Sequence, residues 1–125
     1  MQLDGTIGQL HISVTDIDRA VAFYGETLGL PLLFRVPDQP MAFFDCGGVR
    51  LYLAIPEPGF ESKPLVYFRV RAIEDVHSSF AAKGVEFLDE PRIVHRDDDH
   101  ELWLAFFRDP DGCTLALMEE RPPAT

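Results

Sequence analysis

Basic residues are scarce in this chain. Only 11 Lys and Arg stand against 21 Asp and Glu, a formal net charge of −10. A nucleic-acid backbone or an anionic membrane surface requires a cationic face, so neither is expected as a partner. Cysteine is nearly absent as well. Cys46 and Cys113 have no CxxC spacing, and two thiols cannot build a disulfide framework, so they read as reduced thiols in the cytoplasm. No apolar run approaches the ~18 residues that cross a bilayer, and the opening MQLDGTIGQL carries an acid where a leader would be basic. Secretion and membrane insertion are therefore not expected. What the chain has in quantity is apolar side chains, at 46 % of 125 residues, enough for one compact core without disulfide or metal staples.

The chain repeats itself. Val14-Thr15-Asp16-Ile17-Asp18-Arg19-Ala20 lies over Val70-Arg71-Ala72-Ile73-Glu74-Asp75-Val76 at an offset of 56. Ala42-Phe43-Phe44 recurs as Ala105-Phe106-Phe107, and Gly48-Val49-Arg50-Leu51 lies over Gly112-Cys113-Thr114-Leu115 at an offset of 64. The growth in offset is an insertion in the second half, and the long polar stretch from Arg92 to Glu101 is where it fits.

Each half reads as strand, helix, then three strands. Gln9 to Val14 alternates polar and apolar, Asp16 is a helix N-cap, and Ile17, Ala20, Val21 and Tyr24 form a stripe ended by Gly29 and Pro31. Strands follow at Leu32 to Val36, Met41 to Asp45 and Val49 to Ile55. The second half has Leu65 to Val70, a helix from Ile73 to Lys83, and strands near Val85 to Leu88, Leu102 to Arg108 and Cys113 to Met118. The expectation is an α+β fold of two tandem βαβββ modules, about 7–55 and 65–120, in one 125-residue domain. The Pro-rich stretch 56–64 is the linker, and Arg121 to Thr125 a frayed tail.

Each helix covers one sheet face, so strand alternation reveals the other. That far face carries Gln9, His11, Ser13, Arg50 and Tyr52 in the first half, and Leu65, Tyr67, Arg69, Thr114, Ala116 and Met118 in the second. Polar groups beside aromatics and Met point to a ligand-lined cavity between curled mixed sheets. Histidine titrates in the physiological range, so His11 is the candidate general acid or base, with Tyr52 and Tyr67 as donors to a developing oxyanion. Gln9, Ser13, Arg50, Arg69, Thr114 and Met118 are candidate ligand contacts, and Arg50 and Arg69 favour an anionic ligand. His95 to Glu101 is the densest stretch of ligand-like side chains; His100 and Glu101 are expected at the cavity mouth, and His77 at a helix surface or core edge.

Three motifs in this order, Val14 to Tyr24, the Leu28-Gly29-Leu30 helix exit and Phe107-Arg108-Asp109-Pro110-Asp111-Gly112, resemble the vicinal oxygen chelate superfamily, the glyoxalase, bleomycin-resistance and extradiol-dioxygenase group. The resemblance runs from Ile7 to about Glu120. It implies paired βαβββ modules around a small-molecule site, a homodimer, and in many members a divalent metal held by four residues. Those positions fall here on Gln9, Tyr52, Leu65 and Ala116, and Leu and Ala cannot coordinate. No metal or other cofactor is therefore expected. The resulting reading is a cytoplasmic protein that binds a small organic molecule, as the drug-sequestering bleomycin-resistance branch does. The rival reading is a glyoxalase-like lyase, isomerase, epimerase or dioxygenase using His11 or a non-standard metal site.

Overall fold

The computed structural model describes residues 1–123; Ala124 and Thr125, the end of the expected tail, lie outside the described residues. The chain divides into two compact units, Met1–Lys63 and a second beginning at Pro64. In the first, β1 (Gln9–Ser13) is followed by α1 (Ile17–Val21), β2 (Leu32–Arg35), β3 (Met41–Cys46) and β4 (Val49–Ala54). The sheet order is β1-β4-β3-β2, with β1 parallel to β4 and the other pairs antiparallel.

Local chemistry accounts for the helix. The Asp16 carboxylate accepts the Arg19 N–H at 3.0 Å, the N-cap expected from the sequence. After α1 the chain widens into a π-helical turn, Ala22–Thr27, in which the Leu28 N–H donates to the Phe23 carbonyl at 2.9 Å. Gly29, at φ +85°, then lets the Leu30 N–H reach the Tyr24 carbonyl. Ala20 and Tyr24 are buried with Ile12, Phe44, Leu51 and Leu53 on one sheet face. Burial of each such large side chain contributes about 2 kcal/mol, which fixes which face of the sheet the helix covers. Gly25 packs closely, since a Cβ there would lie 3.2 Å from the Phe44 ring and the ring would have to shift by a few tenths of an ångström.

The second unit repeats the plan with β5 (Val66–Arg69), α2 (Ile73–Ala82), β6 (Glu86–Phe87), β7 (Arg92–Arg96), β8 (Glu101–Arg108) and β9 (Thr114–Arg121). Its sheet runs β5-β9-β8-β6, and β7 pairs with β8 beside β6. The polar insertion is thus a lengthened β7–β8 hairpin, and the strand expected near Val85 to Leu88 is only two residues long.

Two boundaries differ from the sequence reading. The residues read as a linker are tied to β1: the Ser13 N–H donates to the Ser62 carbonyl and the Ser62 N–H to Ser13 Oγ, both at 2.8 Å, so 56–63 belongs to the first unit. Arg121 is no frayed tail. It ends β9, lies 4.3 Å over the Trp103 ring and bonds the Glu74 and Glu119 carboxylates at 2.7 Å each. Glu119 in turn caps α2, which starts at a left-handed Ala72 with no side-chain cap of its own. Its two oxygens accept the N–H groups of Ile73 at 2.9 Å and Ala72 at 3.2 Å. Burial raises the Glu119 carboxyl, but the Ile73 amide and Arg121 outweigh it and hold the group below its usual value.

Candidate functional site

On the first sheet's face away from α1, one ring from each strand joins a continuous row. Phe34 stacks on Phe43 at 4.6 Å between centroids, Phe43 on Tyr52 at 4.8 Å with planes 9° apart, and Tyr52 meets His11 at 4.9 Å. Strand register builds the row, since Phe34 opposes Phe43, Phe43 opposes Tyr52, and Tyr52 opposes His11. A register shift between Leu32 and Phe34 is what brings Phe34 into line.

His11 is held at both nitrogens. Nδ1 lies 3.0 Å from the Tyr52 carbonyl, which can only accept, so Nδ1 carries the proton. Nε2 lies 3.1 Å from Ser13 Oγ, which also accepts the Ser62 N–H at 2.8 Å. These bonds hold Ser62, at the end of the segment that follows β4, beside β1.

Two rings of the row, His11 and Tyr52, and the segment that ends at Ser62 line an open cavity of about 630 Å³. Gln9, His11 and Tyr52 floor it, Gln39, Pro40 and Met41 wall it from the β2–β3 turn, and Ile55, Pro56, Glu57, Phe60 and Ser62 wall it from the other side. Three of the candidates named from sequence therefore meet here, with Ser13 bonded behind them. Gln39, Glu57, Phe60 and the rings of Phe34 and Phe43 had not been singled out. Alternation along β3 would have found Phe43, which is two residues from Met41 on the same face.

The charge expectation is corrected. Arg50 is exposed, lies 5.9 Å over the Phe43 ring and does not line the cavity. Arg69 pairs with Glu120 at 3.9 Å. Neither arginine supports an anionic ligand, and the one carboxylate lining the cavity is Glu57. Glu101 is also corrected as a mouth residue. It is buried, and its carboxylate is spent on Arg96 Nε at 3.0 Å and Trp103 Nε1 at 3.1 Å. His100 and His95 both bond Asp97 at the hairpin tip, where the Asp99 and His100 amides and His95 hold the Asp97 carboxyl well below its usual value. His77 packs on Phe87, ring centroids 4.1 Å apart, as a core-edge residue. On the second sheet Tyr67 opposes Ala116 and Arg69 opposes Met118, with Thr114 two residues before Ala116. Ala116, the repeat of Tyr52, carries no ring and is fully buried, and Tyr67 meets Phe106 edge-on at 6.1 Å.

The four positions that the resemblance assigns to a metal do not supply a coordination set. Gln9 and Tyr52 offer neutral oxygens, Leu65 offers no donor, and Ala116 is a fully buried methyl. Among the described residues no group of three or more His, Cys, Asp or Glu is placed to hold a metal ion. Burial and the Asp45 charge push the Cys46 thiol up, away from a reactive thiolate.

A βαβββ unit and a βαββββ unit that repeats it with one more strand, each with a helix on one sheet face, define a glyoxalase-like α+β protein. The chain belongs to the Glyoxalase/Bleomycin resistance protein/Dioxygenase superfamily, whose family model matches residues 6–117. It is 28 % identical over 125 residues to the uncharacterized protein YraH of Bacillus subtilis (strain 168), covering 89 % of this chain and 95 % of that protein. Among solved structures it is similar to TnmS3, an antibiotic binding protein from Streptomyces sp. CB03234, with a TM-score of 0.76 and 22 % identity over 98 % of this chain and 100 % of that one. Lactoylglutathione lyase from Agrobacterium tumefaciens superposes with a TM-score of 0.70 and 23 % identity over 94 % and 95 % of the two chains. At such identities the structural likenesses establish the fold alone. No helix among the described residues is long and apolar enough to cross a membrane.

Proposed function

We propose that this protein binds a small organic molecule in the first-unit cavity, without a divalent metal, and holds it unchanged, as a sequestering protein does. The observation that carries this reading is the cavity itself, lined by the rings of His11, Tyr52 and Phe60, with His11 hydrogen-bonded at both nitrogens to the Tyr52 carbonyl and Ser13 Oγ. The antibiotic binding attributed to TnmS3 is in keeping with it. We also propose a homodimer, because edge strand β2 leaves Leu32, Leu33 and Phe34 nearly half exposed, an apolar edge that a second copy would cover.

A thermal-shift screen of small aromatic compounds tests this reading. Hits should raise the melting temperature of the wild type and not of Tyr52→Leu, be recovered unaltered by mass spectrometry, and bind a species sedimenting at twice the 14.1 kDa chain mass. A hit recovered as a product, with conversion lost in His11→Ala, would replace sequestration by catalysis.

A further inference from the structure

The cavity's lining specifies a class of ligand, an inference that rests on its being a ligand site at all. Two features decide the class. The cavity is lined by three rings, those of His11 and Tyr52, 4.9 Å apart between centroids, and of Phe60, so a flat ring system gains more contact there than a branched aliphatic one. The wall carries one formal charge. Glu57 lines the cavity with an exposed carboxylate, while no Lys or Arg lines it and the remaining polar lining is Gln9, Gln39, Tyr52, His11 and Ser62. The chain's excess of acids adds a field of the same sign.

We propose that the ligand is a planar aromatic compound bearing a basic nitrogen, with its ring system against the His11 and Tyr52 rings and its cationic group at Glu57. The two Gln side chains can accept the remaining N–H or O–H donors of such a molecule through their amide oxygens. The second unit is the internal contrast, because Ala116 stands where Tyr52 stands in the first and breaks the ring run there.

Three probes of known chemistry separate shape from charge. Proflavine is a planar tricyclic cation, anthraquinone-2-sulfonate a planar tricyclic anion, and spermidine a cation without rings. Titrated into the full chain by calorimetry at physiological salt, proflavine should bind one per chain, at least about tenfold tighter than either of the others. Glu57→Gln, an exposed change that leaves folding intact, should weaken proflavine about fivefold and leave the sulfonate no weaker. Tyr52→Leu should weaken proflavine about tenfold, and Glu86→Gln, an exposed acid in the second unit, should leave it unchanged. Spermidine binding as well as proflavine would reduce the effect to bulk charge and overturn the inference. The sulfonate binding as tightly, or an unaffected Glu57→Gln, would also overturn it. If Tyr52→Leu still abolished the sulfonate, the cavity would remain the ligand site while the ligand class failed. Absence of proflavine binding overturns the inference, and the thermal-shift screen then decides separately whether the cavity is a site.

Discussion

Asp109→Ala is expected to lower stability by about 3 kcal/mol, the largest loss from any single carboxylate in the chain, read as a shift in the urea midpoint at unchanged slope. Asp109 is 4 % exposed, and its Oδ1 accepts the N–H groups of Asp111 and Cys113 at 2.9 Å each. Its backbone N–H reaches the Cys113 carbonyl, and the Gly112 N–H returns to the Asp109 carbonyl, both at 3.0 Å. The side chain is therefore the internal frame of the turn that launches β9, the central partner of β5 and β8. Truncation strips an acceptor from two amides, of which that of Cys113 is deeply buried. Asp109→Asn keeps the acceptor oxygen and should lose about a third as much. The repeat supplies a comparison: Asp45 accepts the Gly48 N–H at an exposed turn, so Asp45→Ala should cost about 1 kcal/mol or less. Equal losses at the two aspartates would contradict the account of the turn.

Glu119→Ala ranks second, at about 2 kcal/mol, because it uncaps α2 and removes one of the carboxylates holding Arg121. The pH dependence has a definite sign. Glu74, through its bonds to Arg121, and Glu119 both sit below the usual value of 4.5 in the folded chain. Groups lowered by folding stabilise the native state above their unfolded value and lose that contribution as pH falls through the folded one. The gap between wild type and Glu119→Ala should thus be full at neutral pH and close progressively below about pH 4.5, measured by urea unfolding across that range. A gap that stayed constant into acid would mean that charge plays no part in the cap.

These two predictions show what was legible in the sequence. Period and repeat revealed the βαβββ order, the Asp16 cap and the faces carrying His11 and Tyr52, because each depends on residues within one turn or one strand. The Glu119 cap did not show, since nothing local links residue 119 to a helix that begins at 73. The segment 56–63 read as a linker because its prolines break regular structure, and only the Ser13–Ser62 bonds reveal that it forms a cavity wall. The arginines misled for a related reason: alternation places Arg50 on the open face but does not say that its guanidinium leans over Phe43 and away from the cavity. The ring row needs cross-strand register, including the irregularity in β2, which no single strand's pattern contains.

The central claim is that the first-unit cavity binds its ligand through its own side chains and needs no divalent ion. The most direct measurement compares the affinity of a thermal-shift hit for chelator-treated protein with that for protein incubated with zinc, nickel, manganese or ferrous ion. The donor set at Gln9, Tyr52, Leu65 and Ala116 predicts the same dissociation constant throughout and well under one metal per chain by elemental analysis. Near-stoichiometric metal, with binding or turnover that appears only when it is present, would contradict the account.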